Sequence, residues 1–228
     1  MRAAAIIVAA GSGKRFGSHT PKQFLKLKDK PVFLWSVEAF ASLKVFKQII
    51  IVVSRDMLES LSKKYKRFIF VSGGKERFDS VKNGLAAIDK DIDFIAVHDA
   101  ARPLINKKDI LAILKKAVEN RAAIAAEKTK DTIKAVKNGF VQNTLDRSML
   151  YNVQTPQIFA AKLLFKAYEK KIAKKTTDDS MLIEQSGVKV AVVETKFPNF
   201  KITNKLDFET ARQILKNKGL NYVCRFRL

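Results

Sequence analysis

Short apolar runs alternate with segments of helical period along almost the whole chain, and this rhythm limits the fold more than any other feature. Ala3–Ala9 reads as a buried strand, and Pro31 opens a helix to about Leu43, with proline at a favoured first-turn position. Then follow a strand at Gln48–Val53, a helix at Arg55–Tyr65, a strand at Arg67–Val71 and a helix at about Glu76–Ile88. Val81, Leu85 and Ile88 share one face of that helix. A strand at Asp93–Val97 ends at His98-Asp99, a helix runs to about Glu119 with Asp109 as its expected N-cap, and Arg121–Ala126 is the next strand. Strand–helix alternation of this kind predicts an α/β domain with a mostly parallel sheet flanked by helices.

The rhythm breaks between about Lys128 and Gln154, where a charged, alternating segment carries Lys137-Asn138-Gly139. Asn-Gly favours a tight hairpin turn, so this insertion is expected to be a β-hairpin arm. Helices at Ala161–Ile172 and Asp178–Gln185, a strand at Val188–Glu194 and a helix at Asp207–Leu215 complete the pattern. A length of 228 residues suits a single domain spanning 1–228 with one inserted arm. Ala3–Ala10 has one basic residue ahead of it and runs into a Gly-rich turn, so it fits a first strand better than a secretion signal. No apolar stretch approaches the roughly 20 residues of a membrane helix, and no membrane partner is expected. The lone Cys224 cannot form an internal disulfide, and His19 and His98 lack cysteine neighbours. A cytoplasmic protein without a zinc site is the expectation.

Forty-four Lys and Arg against 22 Asp and Glu leave a net charge of +22, which favours an anionic partner. The basic residues are spread over many helix faces and no nucleic-acid motif accompanies them, so a phosphorylated small molecule fits better than dedicated nucleic-acid binding. Ala9-Ala10-Gly11-Ser12-Gly13-Lys14-Arg15 follows the first strand, with Pro21-Lys22-Gln23 beyond it. Small residues let backbone N–H groups approach phosphate oxygens, and Arg15 and Lys22 add fixed charge. The segment matches neither the Walker loop nor the dinucleotide fingerprint. Gly73-Gly74-Lys75-Glu76-Arg77-Phe78-Asp79-Ser80 opens a helix, placing Arg77 and Ser80 on one face. His98-Asp99-Ala100-Ala101-Arg102-Pro103 lies at the carboxyl end of a buried strand, the edge where open α/β sheets bind ligands.

These segments, together with Asp146-Arg147, Gln154-Thr155-Pro156-Gln157, Thr177-Asp178-Asp179 and Asn199-Phe200-Lys201-Ile202-Thr203, occur in an order that resembles the 2-C-methyl-D-erythritol 4-phosphate cytidylyltransferase family. The resemblance runs from about Ala4 to Leu215 and implies a Rossmann-like fold, Mg²⁺-dependent use of CTP and a homodimer joined through its arms. It places nucleotide contacts at Ala9, Ala10, Gly11, Gly74, Arg77, Ser80, Asp99 and Ala100, and catalytic cations at Arg15 and Lys22. Arg102, Thr132, Arg147, Thr177 and Lys201 would position the methylerythritol phosphate, with Arg147 reaching over from a partner's arm. It identifies no metal ligands. The chain departs from the family pattern at Ala9, where proline is frequent, and at Lys75, where an acidic residue is common; the segment Gly219–Leu228 has no assigned role.

The implied reaction joins a substrate phosphate oxygen to the α-phosphorus of CTP and expels pyrophosphate. Its nucleophile is already an anion, so positioning and fixed positive charge matter more than a strong base. Two alternatives stay open on sequence: a cytidylyltransferase acting on ribitol phosphate or another polyol phosphate, and a nucleic-acid-binding protein. Ala10-Gly11-Ser12 and Ala100-Ala101-Arg102 favour methylerythritol phosphate over the first.

Overall fold

A computed structural model describes residues 1–11, 16, 20–169 and 176–217. The first strand, β1 (Ala3–Val8), leads through the short strands β2 (Lys26–Leu27) and β3 (Lys30–Pro31) to helix α1 (Val32–Ala41) and strand β4 (Phe46–Val53). Helix α2 (Arg55–Lys64), β5 (Ile69–Ser72), α3 (Arg77–Ala86), β6 (Phe94–Asp99), α4 (Lys107–Asn120) and β7 (Ala122–Lys128) continue the alternation. The hairpin β8 (Lys134–Lys137) and β9 (Phe140–Thr144) precedes β10 (Tyr151–Ala160), and α5 (Ala161–Glu169), α6 (Asp179–Glu184), β11 (Ala191–Glu194) and α7 (Lys205–Asn217) complete the chain.

The main sheet has the order β11-β7-β10-β6-β1-β4-β5. β1 is parallel to β4 and β6, β4 to β5, and β7 to β11, whereas β10 runs antiparallel between β6 and β7. Alternation along β1 divides the core. Ala3, Ala5 and Ile7 face Phe33, Phe40 and Ile113, while Ala4 and Ile6 face Val81, Leu85 and Leu164. A strand buried on both faces must be apolar throughout, which is why β1 is legible as one continuous run.

Three expectations need correction. Asp109 is not the N-cap of α4: the Asn106 side chain accepts from the Lys108 N–H at 2.8 Å and caps the helix. Asp109 lies inside the first turn, where its buried carboxylate accepts from the Lys196 N–H at 3.4 Å and ties α4 to the segment after β11. The arm is also shorter than 128–154: Lys128 and Tyr151 already pair in the main sheet, leaving β8 and β9 as the hairpin proper. Its turn is Asn138-Gly139, with φ of 52° and 83°, the two positive values that a type I′ turn requires. β10 itself is absent from the sequence reading. It carries Gln154, Thr155 and Gln157, all buried, because their polar groups are satisfied by partners from distant segments. The expected helix Ala161–Ile172 is described as far as Glu169. Among the described residues, no helix is long and apolar enough to cross a membrane.

Two stability predictions follow from this packing. A Cβ at Gly84, in the last turn of α3, would lie 2.8 Å from Ile6 Cγ2 and 3.2 Å from Val52 Cγ2. Gly84→Ala gains about 1 kcal/mol of helix propensity. Overpacking costs about 1–3 kcal/mol, and both neighbours are β-branched and stiff. The variant should therefore be less stable than the parent in urea unfolding; a gain in stability would show that α3 can shift away from the sheet.

His98 is fully buried at the end of β6. Its Nε2 lies 3.2 Å from the Arg102 carbonyl, which can only accept, so Nε2 carries the hydrogen. Nδ1 then accepts from the Thr155 hydroxyl at 3.1 Å, and that hydroxyl accepts from the Asp99 N–H at 3.0 Å. Burial pushes the imidazole down to about 4, with Arg102 adding to the effect and Asp99 opposing it. Because the folded value lies below the unfolded one, the unfolded chain takes up this proton first as pH falls. The stability linked to His98 is thus complete above about pH 6.5 and drains away toward pH 4, by about 3 kcal/mol in all. Urea unfolding at pH 7.5 and 4.5 should show a larger acid loss in the parent than in His98→Asn; equal losses would exclude a buried neutral histidine.

Candidate active site

β1 and β6 are neighbours in the sheet, with Val8 opposite Asp99, yet their chains leave in opposite directions: β1 continues toward β4, β6 toward β7. Such a divergence opens a crevice beyond the carboxyl ends of the two strands. A cleft of about 450 Å³ occupies it, lined by Ala9, Ala10 and Gly11 after β1, Gly74 to Arg77 and Ser80 at the start of α3, Asp99 at the end of β6 and Ala101 just beyond it. Lys22, Gln23 and Lys201 complete its wall.

The walls are held by polar contacts that read directly from side-chain chemistry. Gln23 is buried, and its amide donates to the carbonyls of Ala9 and Gly11, each at 2.7 Å, so one side chain sets the curvature of the loop after β1. Ser80 Oγ donates to the Glu76 carbonyl at 3.1 Å and accepts from the Gly74 N–H at 3.2 Å, shaping the turn into α3. The two loops meet so closely that a Cβ at Gly73 would sit 2.4 Å from that of Ala10. Asp79 accepts from the Glu76 N–H at 3.0 Å and ties down a first-turn donor of α3.

At the cleft floor, Asp99 pairs with Lys201 Nζ at 2.8 Å and with Arg77 Nε at 3.4 Å. Burial alone would raise the Asp99 carboxyl; Arg77 and Lys201, with Arg102 behind them, outweigh it and hold the group well below the usual carboxylate range. Arg77 also reaches Asp179 with Nη2 at 2.8 Å. Burial opposes its charge, but Asp179 and then Asp99 overcompensate and raise it above an ordinary guanidinium. Arg102 donates from Nη1 to the Asn199 carbonyl at 2.7 Å, and burial lowers its pKa despite the attraction of Asp99. Asn199 in turn donates to Gln154 Oε1 at 2.9 Å and to the Thr155 carbonyl at 2.8 Å, which anchors the segment carrying Lys201 onto β10.

The fold therefore gathers Ala9, Ala10, Gly11, Lys22, Gly74, Arg77, Ser80, Asp99 and Lys201 around one cleft. Ala100 is buried directly beside it, and Arg102 stands behind Asp99. Lys75, at the position that departs from the family pattern, lies in the wall as well. Thr132, Arg147 and Thr177 do not line it. Thr132 and Arg147 lie exposed at the arm, where Arg147 Nη1 donates to the Lys130 carbonyl at 2.7 Å, and Thr177 lies exposed just before α6. Arg15 lies outside the described residues. Sequence reasoning assigned no role to Gln23, Thr155, Gln157 or Asp179, although each belongs to a segment that it singled out. Each acts on a partner far away in sequence, so spacing carried no signal for its task.

The chain matches the sequence model of the family described as 2-C-methyl-D-erythritol 4-phosphate cytidylyltransferase over residues 3–217. It is 64% identical over 219 residues to the 2-C-methyl-D-erythritol 4-phosphate cytidylyltransferase of Endomicrobium trichonymphae, covering 95% of this chain and 100% of that relative. A protein of the same name from Caldicellulosiruptor saccharolyticus is 41% identical over 220 residues, covering 95% and 98%. Among solved structures, the 4-diphosphocytidyl-2C-methyl-D-erythritol synthase of Anaerococcus prevotii superposes with a TM-score of 0.83 at 31% identity, covering 94% of this chain and 98% of that one. With a cleft built from the same ordered segments, the chain belongs to the 2-C-methyl-D-erythritol 4-phosphate cytidylyltransferase family.

Proposed function

We propose that the cleft beyond β1 and β6 carries out the family reaction, with the roles of its residues set by their positions around Asp99. The enzyme is a nucleotidyltransferase that transfers CMP from CTP to 2-C-methyl-D-erythritol 4-phosphate, giving 4-diphosphocytidyl-2-C-methyl-D-erythritol and pyrophosphate. The observation that carries the assignment of roles is the grouping of Lys22, Arg77 and Lys201 with the loop after β1 around a single cleft. A phosphate oxygen of the substrate forms a new bond to the α-phosphorus of CTP, and the bond from that phosphorus to the pyrophosphate oxygen breaks. Both reactants are anions, so the barrier lies in bringing them together and in stabilising charge on five-coordinate phosphorus. Backbone N–H groups at Ala10 and Gly11 and the ammonium of Lys22 suit the triphosphate, Ser80 and Gly74 the nucleoside, and Lys201 the incoming phosphate.

Among the described residues, no group of three or more His, Cys, Asp or Glu side chains could hold a metal ion. The acidic side chains lining the cleft are Glu76 and Asp99. That donor set fits Mg²⁺, which takes one or two carboxylates from protein and the rest of its shell from phosphate oxygens and water. When bound with CTP, the ion would offset triphosphate charge.

The arm supports a homodimer. Phe140 is 75% exposed and Met149 78%, with Val136 and Val141 also open to solvent. An isolated two-stranded hairpin is marginal in water, and exposed apolar side chains of this kind are stabilised by a second subunit. In that arrangement Arg147, which does not line the cleft of its own chain, grips the methylerythritol phosphate of the partner's site.

Lys22→Ala should lower kcat about 10²–10³-fold with a much smaller change in KM for CTP, as for loss of other preorganised charges. Steady-state kinetics decide it; a rise in KM at unchanged kcat would make Lys22 a binding residue only. Arg147→Ala should raise KM for the methylerythritol phosphate and leave KM for CTP unchanged. Assayed at methylerythritol phosphate far below the KM of Arg147→Ala, where both parents are nearly inactive, an equal mixture of Lys22→Ala and Arg147→Ala under subunit exchange should recover about a quarter of parental activity, because half of the dimers are heterodimers and each rebuilds one intact site. If Arg147 works within its own chain, every heterodimer site keeps one defect and the mixture stays as inactive as its parents.

A further inference from the structure

Asp179 has no exposed surface, does not line the cleft, and sits 102 residues from its cationic partner. Its two oxygens are divided: Oδ2 accepts from Arg77 Nη2 at 2.8 Å, and Oδ1 accepts from the Tyr168 hydroxyl. Neighbouring elements fix the carboxylate in turn. The Asp179 N–H donates to Gln157 Oε1 at 3.1 Å, joined there by the Ser180 N–H at 3.0 Å, so an amide on β10 clamps the first residues of α6. Tyr168, on α5, stacks on Phe78 with ring centroids 4.6 Å apart and planes 7° from parallel. Phe78 is the residue after Arg77, so the helix bearing the arginine and the hydroxyl bonded to the aspartate are packed as one unit.

From this arrangement we infer that Asp179, assisted by Tyr168, is a positioning residue that fixes the Arg77 guanidinium at the edge of the CTP site; the inference rests on the reading of the cleft given above. The physical need is clear from the charges. Asp99 already answers Lys201 at 2.8 Å, with Arg102 nearby. Without Asp179 the half-buried Arg77 would keep Asp99 as its one acidic partner among the described residues, and an under-compensated guanidinium turns either toward Asp99 or out to solvent. Holding Nη2 against Asp179 while Nε faces Asp99 leaves the plane of the guanidinium no freedom to rotate. A fork held in this way meets phosphate or base edges without first losing side-chain entropy. Burial, followed by Asp179, raises the Tyr168 phenol far above its ordinary value, so the hydroxyl serves as a donor at all working pH.

A double-mutant cycle read in KM for CTP tests the inference. Asp179→Asn keeps the shape of the side chain and removes its charge. It should raise KM for CTP about tenfold, the scale of one charge-assisted hydrogen bond, with a smaller effect on KM for the polyol phosphate. In an Arg77→Ala background the same change should move KM less than twofold, since the group being positioned is gone. An Asp179→Asn effect of equal size in both backgrounds would overturn the inference and assign the aspartate a structural task. If Arg77→Ala itself leaves KM for CTP unmoved, the reading of the cleft fails, and the inference with it. Tyr168→Phe keeps the stack on Phe78 and covers the case in which Asp179→Asn does not fold. It should raise KM for CTP severalfold in the parent and leave it unchanged with Arg77→Ala; a lower Tm with unaltered KM in the parent would count against positioning.

Discussion

The carboxylate of Asp99 organises the site. It stands at the last position of β6, opposite the end of β1, and takes a lysine from the segment after β11 and an arginine from the start of α3. A buried carboxylate is costly unless matched, and here it is matched by side chains from opposite walls of the cleft. The charge therefore acts as a fastener: α3, the end of β6 and the Lys201 segment cannot separate without stranding an ion. The hydroxyl of Thr155 takes the Asp99 N–H and links it to neutral His98, so the strand end is fixed on its core side as well.

That fastening suits a reaction between two polyanions. Cations that are already paired to a central carboxylate are held in place before substrate arrives, and their positive charge is available without reorganisation. The same logic explains why the loop after β1 is tied by Gln23 rather than left to its own flexibility. Two carbonyls are drawn onto one buried amide, so the path of Ala9–Gly11 along the cleft is set by a side chain outside that segment.

The arm obeys a different constraint. Its turn is dictated locally by Asn138-Gly139, but Val136, Phe140 and Val141 lie exposed. A hairpin with a well-specified turn and exposed apolar side chains is what the proposed dimer would cover. The placement of Arg147 at its base gives that contact a chemical purpose in the proposed dimer.

How much of this was legible depended on the range of the interactions. The central parallel strands β1, β4 and β6 were visible because burial on both faces demands unbroken apolar runs, and the hairpin turn because positive φ favours Asn-Gly. The cleft residues of the loop after β1 and of the α3 turn were visible because close backbone approach requires small side chains at fixed spacing. β10 was not visible: its polar Gln154, Thr155 and Gln157 are buried only because Asn199, Asp99 and α6 come to meet them. The N-cap of α4 was misplaced because Asn106 and Asp109 are both capable acceptors and only the path of the chain decides which one faces the free N–H groups. Local sequence by itself thus determined the α/β rhythm, the turns and the small-residue segments that line the cleft, since these follow from periodicity and backbone sterics within a few residues. Tertiary structure alone decided that Arg77 would lie between Asp99 and Asp179, because a charge pair across 102 residues leaves no mark on spacing and exists only once the sheet has brought its ends together.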